Sequence, residues 1–341
     1  MKNTFPATLW VFREIGVLCC FLLMFMNATS ALSSTSADIE SHNISTFSIV
    51  ACDSATGELG VAVASRFFAV GSVVPWAKAN VGAVATQSFA NTSFGWRGLE
   101  LLEQGATPDE AVAILTRNDD NPSRRQLGIV SADGKSATYT GADCMAWAGG
   151  RSGPNYAVQG NILAGEAVVL EMEKAFLQTQ GTLADRLYAA LIAGEQAGGD
   201  ARGKQSAALL VVKEKAGYAG YTDRAIDIRV DDHPEPFEEL GRLLNFAQMN
   251  YAWNDAWTLF MNKEYGRALP HIERAASIAP DNAEVWYDLA VIRLAAGDSK
   301  GAIAALAKAV KRNDKLKKQA VTDKDLAALR DSQEFQQLVK D

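Results

Sequence analysis

The chain has 341 residues, enough for two cores of ordinary size, and its texture changes near residue 235. Apolar residues make up 48% and charged residues 21%, a balance that excludes a disordered chain. The net charge of -7 is spread along the sequence, with no basic stripe to neutralise phosphates, which excludes nucleic acid as an expected partner.

At the start, Lys2 and Arg13 flank the approach to the apolar run "IGVLCCFLLMFM", and "NATSALSS" supplies small residues suited to cleavage after Ala31. Residues 1–31 are therefore expected to be a secretory signal, so that the mature protein is periplasmic or extracellular. Twelve apolar residues are too few to span a bilayer comfortably, so no membrane span is expected once the signal is gone. Bulky Leu18 argues against Cys19 as a lipid-attachment site. Beyond the signal only Cys52 and Cys144 remain. Export would permit a disulfide between them, spacing alone cannot pair them, and free cysteine is also a common buried residue.

A polar connector, residues 32–45, leads into short β-type runs. "TFSIVACD" and "ELGVAVAS", joined by "SATG", predict a hairpin, and "VGAVATQSF" a further buried strand. Two helices follow: "RGLELLEQG", with a glycine stop, and "TPDEAVAILTRN", where Thr107 caps, Pro108 takes the first helical position and Glu110 completes a capping box. "RRQLGIVSADGKSATYTG" predicts a hairpin turning at Asp133 and Gly134, and "YAVQGNILAG" another strand. The segments "EAVVLEMEKAFLQTQG" and "TLADRLYAALIAGEQAGG" have helical apolar spacing, and "QSAALLVVKEK" and "AIDIRVDD" are strands. Strands, two helices, strands, two helices, strands is the order expected when two sheets pack face to face with a helical pair outside each. The expected fold class is α+β, a four-layer αββα sandwich over residues 46–238.

From residue 240 to 341 the strands stop. At an offset of 34 residues Ala256 falls on Ala290, Ala268 on Ala302, Ile272 on Leu306 and Ala275 on Ala309, with Pro280 and Trp286 in characteristic places. This pattern resembles the tetratricopeptide repeat, with "TDKDLAALRDSQEFQQLV" expected as capping helices. The resemblance implies a concave groove for a protein or peptide partner. An antiparallel helical extension is the plain alternative.

Thr46 opens the first strand. A threonine hydroxyl needs a base to act as a nucleophile, and one solution is its own α-amine once the preceding peptide bond is cut. An α-amine titrates near pH 7.7–8, so much of it is neutral under physiological conditions. Arg66 ends the second strand, Lys78 follows Thr46 by 32 residues, and "TQSFANTSFGWRGL" sets small and amide residues between a strand end and a helix start, a place suited to an oxyanion hole. The order of a leading threonine strand, a strand ending "ASR", a lysine, a strand, a small turn and a helix resembles the N-terminal-nucleophile hydrolases, including the proteasome subunits.

A longer resemblance runs from residue 46 to about 240. "TFSIVACDSATGELGVAVASRFFAVGSVVPWAKANVGAVATQSFAN", "RRQLGIV", "YTGADCMAWAGGRSGPNYAVQGNILAG", "AGGDARGKQSAALLVV" and "RVDDHPEP" are similar to the family catalogued as domain of unknown function 1028. The resemblance implies a site made of Thr46, Arg66, Gln87, Asn91, Gln159, Asn161, Asp200, Arg202, Gln205 and Ser206, with Lys78 added by the broader analogy. Thr46, Arg66, Lys78 and Asn91 are the expected catalytic set, and the others are expected to bind substrate.

The function this implies is an exported hydrolase of peptides or other linear amides, without a cofactor. The alternative is a non-catalytic exported protein that binds a small amide ligand. "GGDARGKQS" lacks the spacing of a phosphate loop and leads into a strand, so nucleotide binding is not expected. "RVDDHPEP" gathers carboxylates, but with three histidines scattered through the chain no zinc spacing exists and no metal is expected. Association into a homo-oligomer through the helical layers is expected on fold-level analogy alone.

Overall fold

The computed structural model describes residues 46–340; the expected signal, the connector and the Ser45–Thr46 junction lie outside the described residues. Ten strands form two antiparallel sheets among the described residues. In chain order the first strands are β1 (Thr46–Asp53), β2 (Glu58–Ser65), β3 (Pro75–Lys78) and β4 (Gly82–Ser88), then helices α1 (Ser93–Glu103) and α2 (Pro108–Arg117). β5 (Arg125–Ser131), β6 (Ser136–Thr140), β7 (Gly149–Gly153) and β8 (Tyr156–Asn161) lead to α3 (Ala167–Gln178) and α4 (Leu183–Gln196), and β9 (Ser206–Val212) and β10 (Arg224–Val230) complete the sheets. One sheet has the order β10-β9-β2-β1-β8-β7, the other β3-β4-β5-β6.

Local chemistry explains the turns. Asp53 Oδ1 accepts from the backbone N–H groups of Ala55 and Thr56 (3.0 and 3.2 Å), and Gly57 takes a φ of 75°, which closes the β1–β2 hairpin. Thr107 and Glu110 form the capping box read from the sequence, and Thr182 with Asp185 forms another at the start of α4.

β3 and β7 were not legible as strands, and both are sheet edges. "PWAK" opens with a proline, which an edge strand tolerates, and "GGRSG" carries no apolar alternation at all.

Period-2 alternation sorts each strand between two surroundings. On β1, Phe47, Ile49 and Ala51 join the core formed with α3 and α4, while Val50 and Cys52 join the core between the sheets. On β4 and β5, Val84, Leu127 and Ile129 face α1 and α2, while Ala83, Ala85 and Val130 face the other sheet.

Helices follow. α5 (Pro236–Met261) runs unbroken through the expected junction between the two regions, and α6 (Tyr265–Ile278), α7 (Ala283–Ala295) and α8 (Ser299–Arg312) continue as antiparallel pairs. All eight positions matched at the 34-residue offset, Ala256, Ala268, Ile272, Ala275, Ala290, Ala302, Leu306 and Ala309, have 0% exposure. The small ones let paired helices approach closely. The end of the chain folds as α9 (Leu316–Thr322), a 3-10 turn (Lys324–Leu329) and α10 (Gln333–Val339), burying Leu326, Leu329 and Phe335 against the repeats. Among the described residues no helix is long and apolar enough to cross a membrane.

Cys52 and Cys144 are both free thiols. Cys52 Sγ lies 3.6 Å from the Ala132 carbonyl and Cys144 Sγ 3.4 Å from the Arg125 carbonyl, beyond opposite ends of β5, a strand that separates them by roughly 20 Å. Burial raises the pKa of both thiols.

Candidate functional site

The space between the sheets is apolar at one end and polar at the other. Where β1, β5 and β9 begin and β2, β4 and β8 end, the inward positions are Thr46, Ser48, Ser65, Gln87, Gln126, Gln159, Asn161 and Ser206, all buried. Strand register brings them together: Thr46 pairs with Asn161, Gln87 with Gln126 and Ser65 with Ser206.

Thr46 Oγ1 donates to Ser65 Oγ at 3.2 Å, and Gln87 Nε2 donates to the Thr46 carbonyl at 3.2 Å. Ser48 Oγ donates to Gln87 Oε1 at 2.5 Å and accepts from Gln159 Nε2 at 2.6 Å. Gln126 is the centre of the network. Its Oε1 accepts from Gln87 Nε2 (2.8 Å) and Asn161 Nδ2 (2.9 Å), and its Nε2 donates to Thr140 Oγ1 (2.9 Å) and the Gly160 carbonyl (2.7 Å). A Cβ on Gly128 would lie 2.1 Å from Gln159 Oε1, so glycine there is what lets that side chain lie between the sheets.

The rim is charged. Asp200, buried, accepts the Arg66 backbone N–H through Oδ2 (2.8 Å) and the Arg202 backbone N–H through Oδ1 (2.9 Å), and binds the Arg202 guanidinium at 3.0 Å. Arg66 Nη1 donates to the Arg202 carbonyl (2.7 Å), and Arg202 Nη2 returns a bond to the Arg66 carbonyl (3.1 Å). Ser206 Oγ donates to the Phe67 carbonyl at 2.5 Å, and Gln205 Nε2 to Asp232 at 3.2 Å. These residues bind the end of β2 to the loop before β9.

Two expected catalytic residues stand elsewhere. Lys78 pairs with Gly82, five residues from Gln87 along β4 and so roughly 17 Å from it, and its Nζ binds Glu103 at 2.6 Å on the surface. The helper role expected of Lys78 is corrected: its strand runs away from Thr46. Asn91 lies past the β4 end; its Nδ2 binds Asp119 (2.7 Å) and its Oδ1 accepts from the Ser93 backbone N–H (3.1 Å), so the side chain is held in the turn ahead of α1. Burial works to raise the Asp119 carboxyl, and donors from Asn91, Arg125 and the Asn121 backbone outweigh it, so the group sits below the ordinary carboxylate range.

Sequence reading missed Gln126, Ser48 and Ser65. The available signal was a polar residue on the same alternating face as Gly128 and Val130, in a strand whose other inward residues are small or apolar.

The inner pole consists of hydroxyls and amides. It holds no side chain that takes up a proton at neutral pH. Such groups orient a carbonyl or amide by hydrogen bonding, and any proton transfer there needs a base from outside the set. Neutral amides and hydroxyls are also poor ligands for a transition metal, and among the described residues no three His, Cys, Asp or Glu side chains converge. In "RVDDHPEP", Asp232 is bound to Gln205, His233 Nδ1 accepts the Glu235 N–H (3.0 Å) and Glu235 binds Lys204.

Comparison with known proteins agrees with this architecture. The crystal structure of protein SPO2555 from Silicibacter pomeroyi, described with the same family domain, is similar to this chain with a TM-score of 0.57 and 33% identity, over 62% of this chain and 90% of that one. No curated protein matches. A tetratricopeptide repeat matches residues 259–322. The family of unknown function DUF1028 matches residues 46–240, more than half of the sequence, and the chain belongs to that family.

Proposed function

We propose that the chain is an exported amide hydrolase of the N-terminal-nucleophile type, its two sheets and outer helical pairs forming an αββα sandwich around Thr46, with substrates among peptides and acylated amino compounds. The observation that carries this reading is the composition of the pole. Thr46 heads β1 with its hydroxyl 3.2 Å from Ser65 Oγ, among amides and hydroxyls that contain no side-chain base. Among the described residues the pole offers that hydroxyl no side-chain base, and its own α-amine, freed by a cut between Ser45 and Thr46, would supply one.

After that cut the amine takes the hydroxyl proton as Oγ1 attacks the substrate carbonyl carbon. The proton passes to the leaving amine as the C–N bond breaks, and water then hydrolyses the Thr46 ester. The Arg66 and Arg202 guanidiniums on the rim favour the neutral state of the amine. Tetratricopeptide-like repeats are protein-interaction modules, and here they would dock a partner peptide.

A second reading is favoured by one observation. Lys78 is held by Glu103 on the far end of its sheet and the Asn91 amide by Asp119, so neither supplies electrostatic help at Thr46. On that reading the pole recognises a small amide ligand without cleaving it. Intact mass and N-terminal sequencing of the exported protein separate the two. A mature chain starting at Thr46, with amidase activity lost in Thr46→Ala, supports the hydrolase. A chain starting near Leu32, or activity that survives Thr46→Ala, refutes it.

A further inference from the structure

A second, chemically different site lies on the opposite side of the six-stranded sheet. A cleft of about 350 Å³ opens between the β9–β10 edge, the start of α4 and the helices α5 and α6. That volume falls within the usual range for small-molecule sites. Its floor is apolar and well buried: Val211, Ile226 and Ala252 are 1%, 7% and 6% exposed. The walls are fixed, since Tyr251 Oη donates to the Arg224 carbonyl (2.7 Å) and Gln248 Nε2 to Asp185 Oδ1 (2.8 Å), tying α5 to β10 and to α4.

Charges of both signs ring this floor. Asp255 on α5 lies 3.5 Å from His271 Nδ1 on α6, and its carboxyl is raised by burial against the pull of His271, Lys213 and Arg274. Lys213, just past β9, and Arg274 on α6 line the same cleft, and neither forms an ion pair among the described residues. Glu58, Glu214 and Lys215 also line the cleft, so a purely anionic ligand would meet the carboxylates with repulsion and a purely cationic one would meet Lys213, Lys215 and Arg274. A molecule carrying both a carboxylate and an ammonium group satisfies each, with its apolar part on Val211 and Ile226.

We propose that this cleft binds a small zwitterion, an α-amino acid or dipeptide with an aliphatic side chain, its carboxylate between Lys213 and Arg274 and its ammonium at Asp255. The site does not depend on hydrolysis at Thr46.

The test is a saturation-transfer NMR titration of L-alanyl-L-leucine onto the full chain and onto its Thr46→Ala variant, which separates binding here from turnover at Thr46. Saturable binding with a Kd of the order of 1 mM or tighter is expected in both. Capping the probe as its N-acetyl or its amide form is expected to weaken binding by about tenfold each, as are Lys213→Gln and Arg274→Gln, two surface changes that circular dichroism will show to be folded. Absence of saturation up to about 10 mM, equal binding of the capped probes, or binding unaffected by both substitutions would overturn the assignment. A mature chain starting near Leu32 would remove the hydrolase reading and leave this one standing.

Discussion

Gln126 offers the sharpest test of the polar pole. Replacing it with leucine keeps the volume roughly constant and deletes the acceptor for Gln87 Nε2 (2.8 Å) and Asn161 Nδ2 (2.9 Å) together with the donor to the Gly160 carbonyl (2.7 Å). Gln87 keeps the Thr46 carbonyl at 3.2 Å, so its loss is partial. Each buried group deprived of its partner costs about 1–3 kcal/mol, and since Gln87 and Asn161 both keep other interactions the change should cost about 2–4 kcal/mol. Gln126→Ala adds a cavity of roughly 60 Å³, worth about 1.4 kcal/mol more. Urea unfolding followed by far-ultraviolet circular dichroism reads both, and a domain of this size should lose about 2–4 °C of Tm per kcal/mol. Gln126→Glu puts a carboxylate against the Gly160 carbonyl. Its folded pKa should lie above the unfolded value, so that variant regains stability as pH falls through the folded pKa. A Gln126→Leu cost below about 1 kcal/mol would refute the reasoning, because the bonds around Gln126 would then contribute no more than water does.

Asp200→Ala removes the acceptor of the Arg66 and Arg202 backbone N–H groups and of one guanidinium, and should cost about 3 kcal/mol in urea unfolding, with Asp200→Asn costing less because one oxygen remains. In the repeats, Asp288 Oδ2 accepts the indole N–H groups of Trp253 (2.7 Å) and Trp257 (2.6 Å), so Asp288→Ala should cost about 2–4 kcal/mol and shift tryptophan emission to the red. Asp119 sits below its ordinary value of 3.8, so its contribution is present above that pH and lost as pH falls through the lower folded value. Asp119→Asn should therefore flatten the acid limb of a plot of urea midpoint against pH, and an unchanged limb would contradict the assignment.

Alternation made most of the two sheets legible. β1 and β2 match their quoted runs residue for residue, because a strand buried on both faces leaves an apolar run bounded by turn residues. β7 was invisible for the opposite reason: its pairing is backbone-driven, and "GGRSG" has no side-chain pattern to read. The site was half legible. Gln87, Gln159 and Asn161 entered through resemblance, whereas Gln126 follows from the face it shares with Gly128 and Val130 once β5 is paired to β4. Lys78 misled because distance along the chain says nothing about direction along a strand. β3 is antiparallel to β4, and only the register shows that its last residue meets the first of β4 rather than the last.

The change of texture near residue 235 marks a change of composition, and the structure shows why it is not a break between independent bodies. α5 carries two different stripes in succession. Its first turns place Phe237, Leu240 and Leu244 in the core beneath the six-stranded sheet, where the Phe237 ring stacks on Phe47 at 6.2 Å and the Tyr188 hydroxyl binds the Phe237 carbonyl at 3.0 Å. Its later turns place Met249, Ala252 and Ala256 in the core of the repeats. A helix is stabilised mainly by the packing of its apolar face, so loosening either core strips half of that face and weakens the hold of the other half. Phe47 is the neighbour of Thr46 on β1, and alternation turns the two residues to opposite sides of the sheet, one to the pole and one to α5. The strand that presents the candidate nucleophile is thus held from behind by the same helix that begins the repeats.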